Sequence, residues 1–209
     1  ATQWVFDQGH IVGQLAKQLF AQGIDLSGKP FLEGIFLTQK SLPLHQPLFE
    51  AAFMYEQLYA RADILVPVGH QWDIIEVKSS TDVKDQHIDD ISFQKYVYEK
   101  AGLQIRNCSI MYVNRNYIKQ GIIDLEQFFI TQDVTSLLKD VEGTLETMFE
   151  MLNSDLPLIK IGKQCRSPYP CPVTSCWSHL TSGNVFELYR GGNTSFELHD
   201  GGILLLKDI

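Results

Sequence analysis

No apolar run in this chain approaches the roughly twenty residues that a bilayer-spanning helix needs. The opening ATQWVFDQGH also lacks the basic start and apolar stretch of a secretory signal. The chain therefore reads as a globular protein with no membrane attachment. Cysteine is scarce: there are four in 209 residues, with Cys108 alone and Cys165, Cys171 and Cys176 clustered. An extracellular disulfide scaffold carries denser cysteines in a shorter chain, so the expected compartment is reducing and cytoplasmic. Positive charge is short too. Lys and Arg number 17 against 25 Asp and Glu, a formal net charge of −8. That excludes a generally basic coat for nucleic acid, whose non-specific affinity comes from neutralising phosphates, but leaves room for a local basic groove around an acidic metal site. No phosphate-cradling glycine loop, internal repeat or low-complexity segment occurs.

A hydrophobic content of 44% in a chain of this length is enough to bury a sizeable core. Ile11, Val12, Leu15, Ala16, Leu19 and Phe20 recur at helical spacing and predict a helix over 7–22, ended by Gly23. GIDLSGKPFLEG reads as a loop. PLFEAAFMYE, LYARADILVPVG and QWDIIEVKSS then predict a three-stranded meander. A helix is expected over 86–100, a strand over LQIRNCSIMYVN, and a long helix over 134–152 with Leu137, Leu138, Val141, Leu145, Met148, Phe149 and Leu152 at helical spacing. This order predicts an α/β domain, a mixed sheet flanked by helices. From Lys163 onward Cys, Pro, Ser and Gly dominate, which sets the expected boundary between a domain at 1–162 and an irregular cysteine segment at 163–209. The glycine pairs in RGG and DGG read as hairpin turns. The start at Ala1 and the end in LLLKDI read as those of a piece of something larger.

The chemistry centres on DIIEVKSS, where Glu76 and Lys78 share a strand face with Ile74, because side chains alternate with period two. By the same rule Asp63 falls on the side of Arg61 and Leu65. Pairing across the VGHQ turn would bring Asp63 near Glu76, and a divalent cation relieves the repulsion of two such carboxylates. Lys78 could then orient or help deprotonate a water, or hold a phosphate. An E-x-K pair alone fits an ordinary surface ion pair equally well. On the following helix Gln94 and Tyr98 stand four apart, on one face, able to reach a common ligand.

Asp63, EVK at Glu76 to Lys78 and Gln94-x-x-x-Tyr98, led in by FEAAFMYEQLYARADIL, resemble the core of the PD-(D/E)XK nucleases of the RecB type, including CRISPR-associated exonucleases that carry an iron-sulfur cluster. The order and intervals agree over roughly residues 7–115. The whole chain more closely resembles a bacterial family of unknown function related to those nucleases, with a cysteine segment. The resemblance implies a restriction-endonuclease-like fold with Asp63 and Glu76 as ligands of Mg²⁺ or Mn²⁺ and the Val77 carbonyl as a third. It also implies Lys78 as the catalytic lysine, Gln94 and Tyr98 as residues positioning the strand or the attacking water, and Glu50 as an outer acidic partner. Many relatives carry a metal-binding His on the first helix, four residues after a Gly. Counted from Gly9 that place is Gly13, and His10 reads as a helix-surface histidine.

Cys165-x₅-Cys171-x₄-Cys176 sets three thiols close in sequence, and thiolates suit iron-sulfur clusters and zinc. Free or structural cysteines are the alternative. The resemblance favours a [4Fe-4S] cluster, incomplete or absent here, because Cys108 reads as a core thiol. The function expected is a metal-dependent nuclease, exonuclease-like on DNA. The rival expectation is a non-cleaving nucleic-acid-binding or interaction domain of a larger protein.

Overall fold

A computed structural model describes residues 3–155, 158–167 and 169–209. The chain divides into two compact units, 1–147 and 148–209. The first is an α/β domain built on a six-stranded mixed sheet in the order β1 to β6: β1 (Ile24–Asp25), β2 (Leu48–Tyr55), β3 (Leu58–Val68), β4 (Gln71–Lys78), β5 (Ile105–Val113) and β6 (Phe129–Asp133). β1–β2 and β4–β5 pair in parallel and the others antiparallel. β2, β3 and β4 form the expected meander. Its second turn is closed by Gly69 at φ 59°, a left-handed conformation that glycine adopts without steric penalty.

Helices cover both faces. α1 (Gln3–Lys17) sets Val12 and Ala16 against Phe49, Ile64, Met111 and Phe129. α3 (Asp85–Lys100) is the crossover that lets β4 and β5 run parallel. It sets Ile88, Ile91, Val97 and Tyr98 against Leu48, Ala51, Phe53, Ala62, Leu65, Ile74 and Ile110. Burying a side chain of this size contributes about 1.5–3 kcal/mol, so the two cores hold the sheet between the helices. No helix among the described residues is long and apolar enough to cross a membrane.

Several elements differ from the sequence reading, each for a local reason. α1 ends at Lys17, because the chain beyond it tightens into i to i+3 turns and Gln22 turns left-handed at φ 61°. The stretch read as a loop contains β1 and the start of α2 (Phe31–Ser41). The long helix over 134–152 is broken. Asp133 Oδ1 accepts from Thr135 N at 2.8 Å, Val134 N donates to the Cys108 carbonyl at 2.9 Å, and Leu138 is extended. The stretch holds a single 3₁₀ turn at Thr135–Leu137 and then α5 (Glu142–Leu152), on which Met148 and Leu152 are exposed. α4 (Leu125–Phe128) and β6 occupy a stretch to which the sequence reading assigned no element.

The second unit contains 3₁₀ turns at Lys163–Cys165, Ser175–Trp177, Val185–Glu187 and Leu206–Asp208, and a short helix, α6 (Gly192–Asp200). RGG and DGG are not hairpin turns: they flank α6, with Gly201 N capping onto the carbonyls of Glu197 and His199.

Candidate active site

The site lies where the central meander is interrupted. β3 and β4 pair from Val68 opposite Gln71 as far as Ile64 opposite Ile75. One more step in that register would set Asp63 against Glu76. Between β2 and β3, Phe49 pairs with Ile64 and Ala51 with Ala62, and the intervening Glu50 and Asp63 are left out of the ladder. Glu50, Asp63 and Glu76 therefore form one row across three neighbouring strands, at the level where both ladders lapse.

The lapse has a cause in the alternation of side chains. Leu48, Ala51 and Phe53 pack toward α3 while Phe49 packs toward α1. Leu48 and Ala51 are three residues apart, which strict period two would place on opposite faces. Glu50 absorbs the slip with φ 58°. On β3 the same slip falls at Asp63, because Ala60, Ala62 and Leu65 pack toward α3 and Ile64 toward α1. The expectation that Asp63 shares a side with Leu65 is thus corrected. Leu65 is wholly buried against α3, and Asp63 lines a pocket with Arg61 on the α1 side.

Asp63 Oδ2 accepts from Val77 N at 2.7 Å, so its side chain satisfies an amide that the lapsed ladder leaves free. Burial, then the charges of Glu76 and Glu50, push its carboxyl up to about 8, against the opposing pull of the Val77 amide and Lys78. That direction favours the protonated carboxyl over the ionised one. Glu76 is 8% exposed, with Oε1 accepting from Lys78 Nζ at 2.9 Å and Oε2 from Gln94 Nε2 at 2.8 Å. Lys78 also reaches Asp90 Oδ2 at 3.0 Å. Burial alone would lower its pKa, but the Glu76 charge and the bonds to Glu76 and Asp90 outweigh it and raise the pKa, so Lys78 stays an ammonium.

Gln94 reaches the site as the helix spacing implied, whereas Tyr98 does not. Tyr98 is fully buried, its hydroxyl accepts from Ala62 N at 2.8 Å and donates to the Ala51 carbonyl, and burial raises its pKa. It ties β2 to β3 beside the lapse and meets no ligand shared with Gln94. Glu50 lines the pocket with Asp63, Glu76 and Val77, but its carboxylate is held by Arg61 Nε at 2.8 Å. The facing wall is α1, where His10, Gly13, Gln14 and Lys17 stand at helical spacing. Gly13 and His10 both face the pocket.

Arg61 and Asp90 were missed as participants. Asp90 lies four residues before Gln94, so projecting the face of Gln94 backward along the helix finds it. Arg61 is two residues before Asp63 on the same side of β3, and its partner depends on the slip at Glu50, which no spacing signals.

The donor set suits a hard divalent cation: carboxylate oxygens on Asp63 and Glu76, close enough for one to hold the other's pKa high, and the backbone of Val77. Among the described residues no three His, Cys, Asp or Glu side chains already stand as a ligand group.

In the second unit Cys165 is half-buried and Cys171 and Cys176 are exposed; all three are free thiols, with Cys171 N donating to the Cys165 carbonyl at 2.9 Å. Cys108, on β5, is wholly buried, and burial pushes its thiol up to about 12.

No protein-family profile and no curated protein matches this chain. Among solved structures, one match is described as the crystal structure of SSO0001, with 12% identity and a TM-score of 0.36 over 61% of this chain. The matched region spans 60% of that protein, less than two thirds of its length.

Proposed function

We propose that this chain is a metal-dependent nuclease of the PD-(D/E)XK superfamily, with a restriction-endonuclease-like fold and DNA as the first substrate to test. The observation that carries this reading is the cross-strand row of Glu50, Asp63 and Glu76, with a buried Asp63 beside a Glu76 that Lys78 and Gln94 hold from both sides. A structural role does not call for three acids at one level of a sheet where the ladders lapse, because their mutual repulsion opposes folding.

Asp63 and Glu76 would hold Mg²⁺ or Mn²⁺, with the Val77 carbonyl as a further oxygen. When bound, the cation supplies Lewis acidity toward a phosphoryl oxygen and acidifies water. Lys78, kept protonated, stabilises negative charge on a phosphate and is not the base that takes a proton from water. Gln94 fixes the rotamer of Glu76, and Tyr98 fixes the strands that carry Glu50 and Asp63. Short labelled strands incubated with Mn²⁺, Mg²⁺ or EDTA test the proposal. Metal-dependent cleavage lost in Glu76→Ala supports it, and equal activity in both proteins overturns it.

The three thiols of the second unit suit an iron-sulfur cluster in ligand type but supply three of its four ligands, and buried Cys108 is not disposed to be the fourth. The rival reading, an interaction domain, draws on Leu32 and Phe36, one helical turn apart on α2 and mostly exposed. Nucleic-acid affinity with a steep salt dependence and no turnover would favour a non-cleaving binding module.

A further inference from the structure

The ion pair between Glu50 and Arg61 sits on the wall of the candidate site, and its energetics do not explain the backbone that makes it. A non-glycine residue held left-handed within a strand is strained, and Glu50 is such a residue at φ 58°. A partly exposed ion pair returns little stability, and the Arg61 side chain is 45% exposed. The strained backbone delivers the Glu50 carboxylate to the pocket, level with Asp63 and Glu76, and Arg61 then neutralises it there at 2.8 Å.

We propose that this pair is an exchangeable latch: an incoming phosphate takes Arg61 from Glu50, and the freed Glu50 carboxylate joins Asp63 and Glu76 in holding a divalent cation. The proposal rests on the nuclease reading and adds how substrate and cation are coupled in that site. A guanidinium presents a planar fork that fits phosphate oxygens as well as carboxylate oxygens. Arg61 engages Glu50 through Nε, it is open to solvent, and it lines the same pocket as the carboxylates. The exchange replaces one anion by another at Arg61. It leaves Glu50 without its counter-charge beside two further acids, a state that a cation relieves. Phosphate and cation therefore favour each other's binding, and by thermodynamic reciprocity to the same degree. Without phosphate the latch keeps Glu50 neutralised and the cation weakly held.

The test uses the full chain, with Mn²⁺ and thymidine 5′-monophosphate as probes and titration calorimetry as the readout, on wild type, Arg61→Gln and Glu50→Gln. In wild type the nucleotide should tighten Mn²⁺ by about fivefold or more, and Mn²⁺ should tighten the nucleotide by the same factor. Arg61→Gln should bind Mn²⁺ alone more tightly than wild type does, because Glu50 is already free, and Glu50→Gln should bind the nucleotide alone more tightly. The mutual enhancement should shrink in both. A merely structural ion pair predicts weaker or unchanged Mn²⁺ and nucleotide binding in each variant, and that result, in variants that stay folded while the wild type binds Mn²⁺ and cleaves, overturns the latch while leaving the nuclease reading in place. Wild type that binds no Mn²⁺ overturns both. Glu50→Gln preserves size and hydrogen-bonding shape, so it decides the matter even if Arg61→Gln unfolds.

Discussion

Gln94 Nε2 lies 2.8 Å from Glu76 Oε2, and the other amide atom of Gln94, Oε1, is buried without a hydrogen-bond partner among the described residues. The amide therefore orients the carboxylate and keeps one acceptor in reserve. Gln94→Ala frees Glu76 to change rotamer, and turnover is expected to fall by about tenfold or more while the Mn²⁺ dissociation constant moves less. Single-turnover cleavage beside calorimetric Mn²⁺ titration separates the two. If metal binding collapses and turnover at saturating metal is unchanged, Gln94 is a metal-site residue and not an orienting one.

Tyr98→Phe removes a hydroxyl that serves two backbone groups, Ala62 N–H and the Ala51 carbonyl, in a wholly buried place. Leaving both unpaired should cost about 1–3 kcal/mol or more of stability, read as a lower urea midpoint. Cleavage well below the midpoint should fall only modestly. Loss of activity without loss of stability would restore Tyr98 to direct contact with substrate.

The strands, the crossover helix and the acid row at Asp63 and Glu76 were legible because they depend on period two, period 3.6 and one short turn, all of which are local. The broken 134–152 helix was not. Its apolar spacing is helical, but Val134 and Thr135 are taken by backbone and side-chain bonds to Cys108, and those partners are distant in sequence. Tyr98 illustrates the same limit at the site: spacing places it on the face of Gln94, yet only packing decides that its hydroxyl meets Ala51 and Ala62. The side assigned to Asp63 failed because alternation was assumed unbroken, and β3 slips at Asp63, opposite the left-handed Glu50 of β2.

His87 titration should report on the start of α3. His87 Nδ1 accepts from Lys84 N at 3.2 Å, and burial, then Lys78 and Lys84, lowers its pKa from 6.5. The charged form is disfavoured in the fold, so this stabilisation is complete above the unfolded value near 6.5 and is lost as pH falls through the depressed folded value. Amide exchange in the first turn of α3 should accelerate in acid relative to its last turn, beyond the intrinsic pH effect, and His87→Gln should flatten that response. Uniform exchange along the helix at every pH would refute the capping role.

The proposed cluster would have three thiolates of the second unit as ligands, and one unprotected iron is prone to oxidation, so protein purified in air should carry little iron. Anaerobic preparation with iron and sulfide analysis checks this. A stoichiometric, air-stable cluster would show that a fourth ligand is present, and iron content unchanged in Cys171→Ser would remove the thiols from consideration.

Cation binding should release a proton. Asp63 is raised to about 8 by burial and by the neighbouring Glu76 and Glu50 charges, so in the metal-free fold it stays protonated through neutrality while in the unfolded chain it ionises near 3.8. The sign follows: this group's contribution to stability is fully present below pH 3.8 and is lost as pH rises to about 8, above which the folded carboxyl is ionised too. A divalent cation favours the ionised form and so displaces the proton. Mn²⁺ affinity should climb toward about tenfold per pH unit on the acid side of pH 8 and level off above it. Calorimetry at pH 6.5 in two buffers of different ionisation enthalpy should count about one proton released per Mn²⁺. Asp63→Asn should remove both the proton release and most of the affinity, and should make the metal-free protein more stable at pH 8, since no repelling charge replaces the carboxyl. A pH-independent Mn²⁺ affinity in wild type, with no proton released, would place the cation elsewhere.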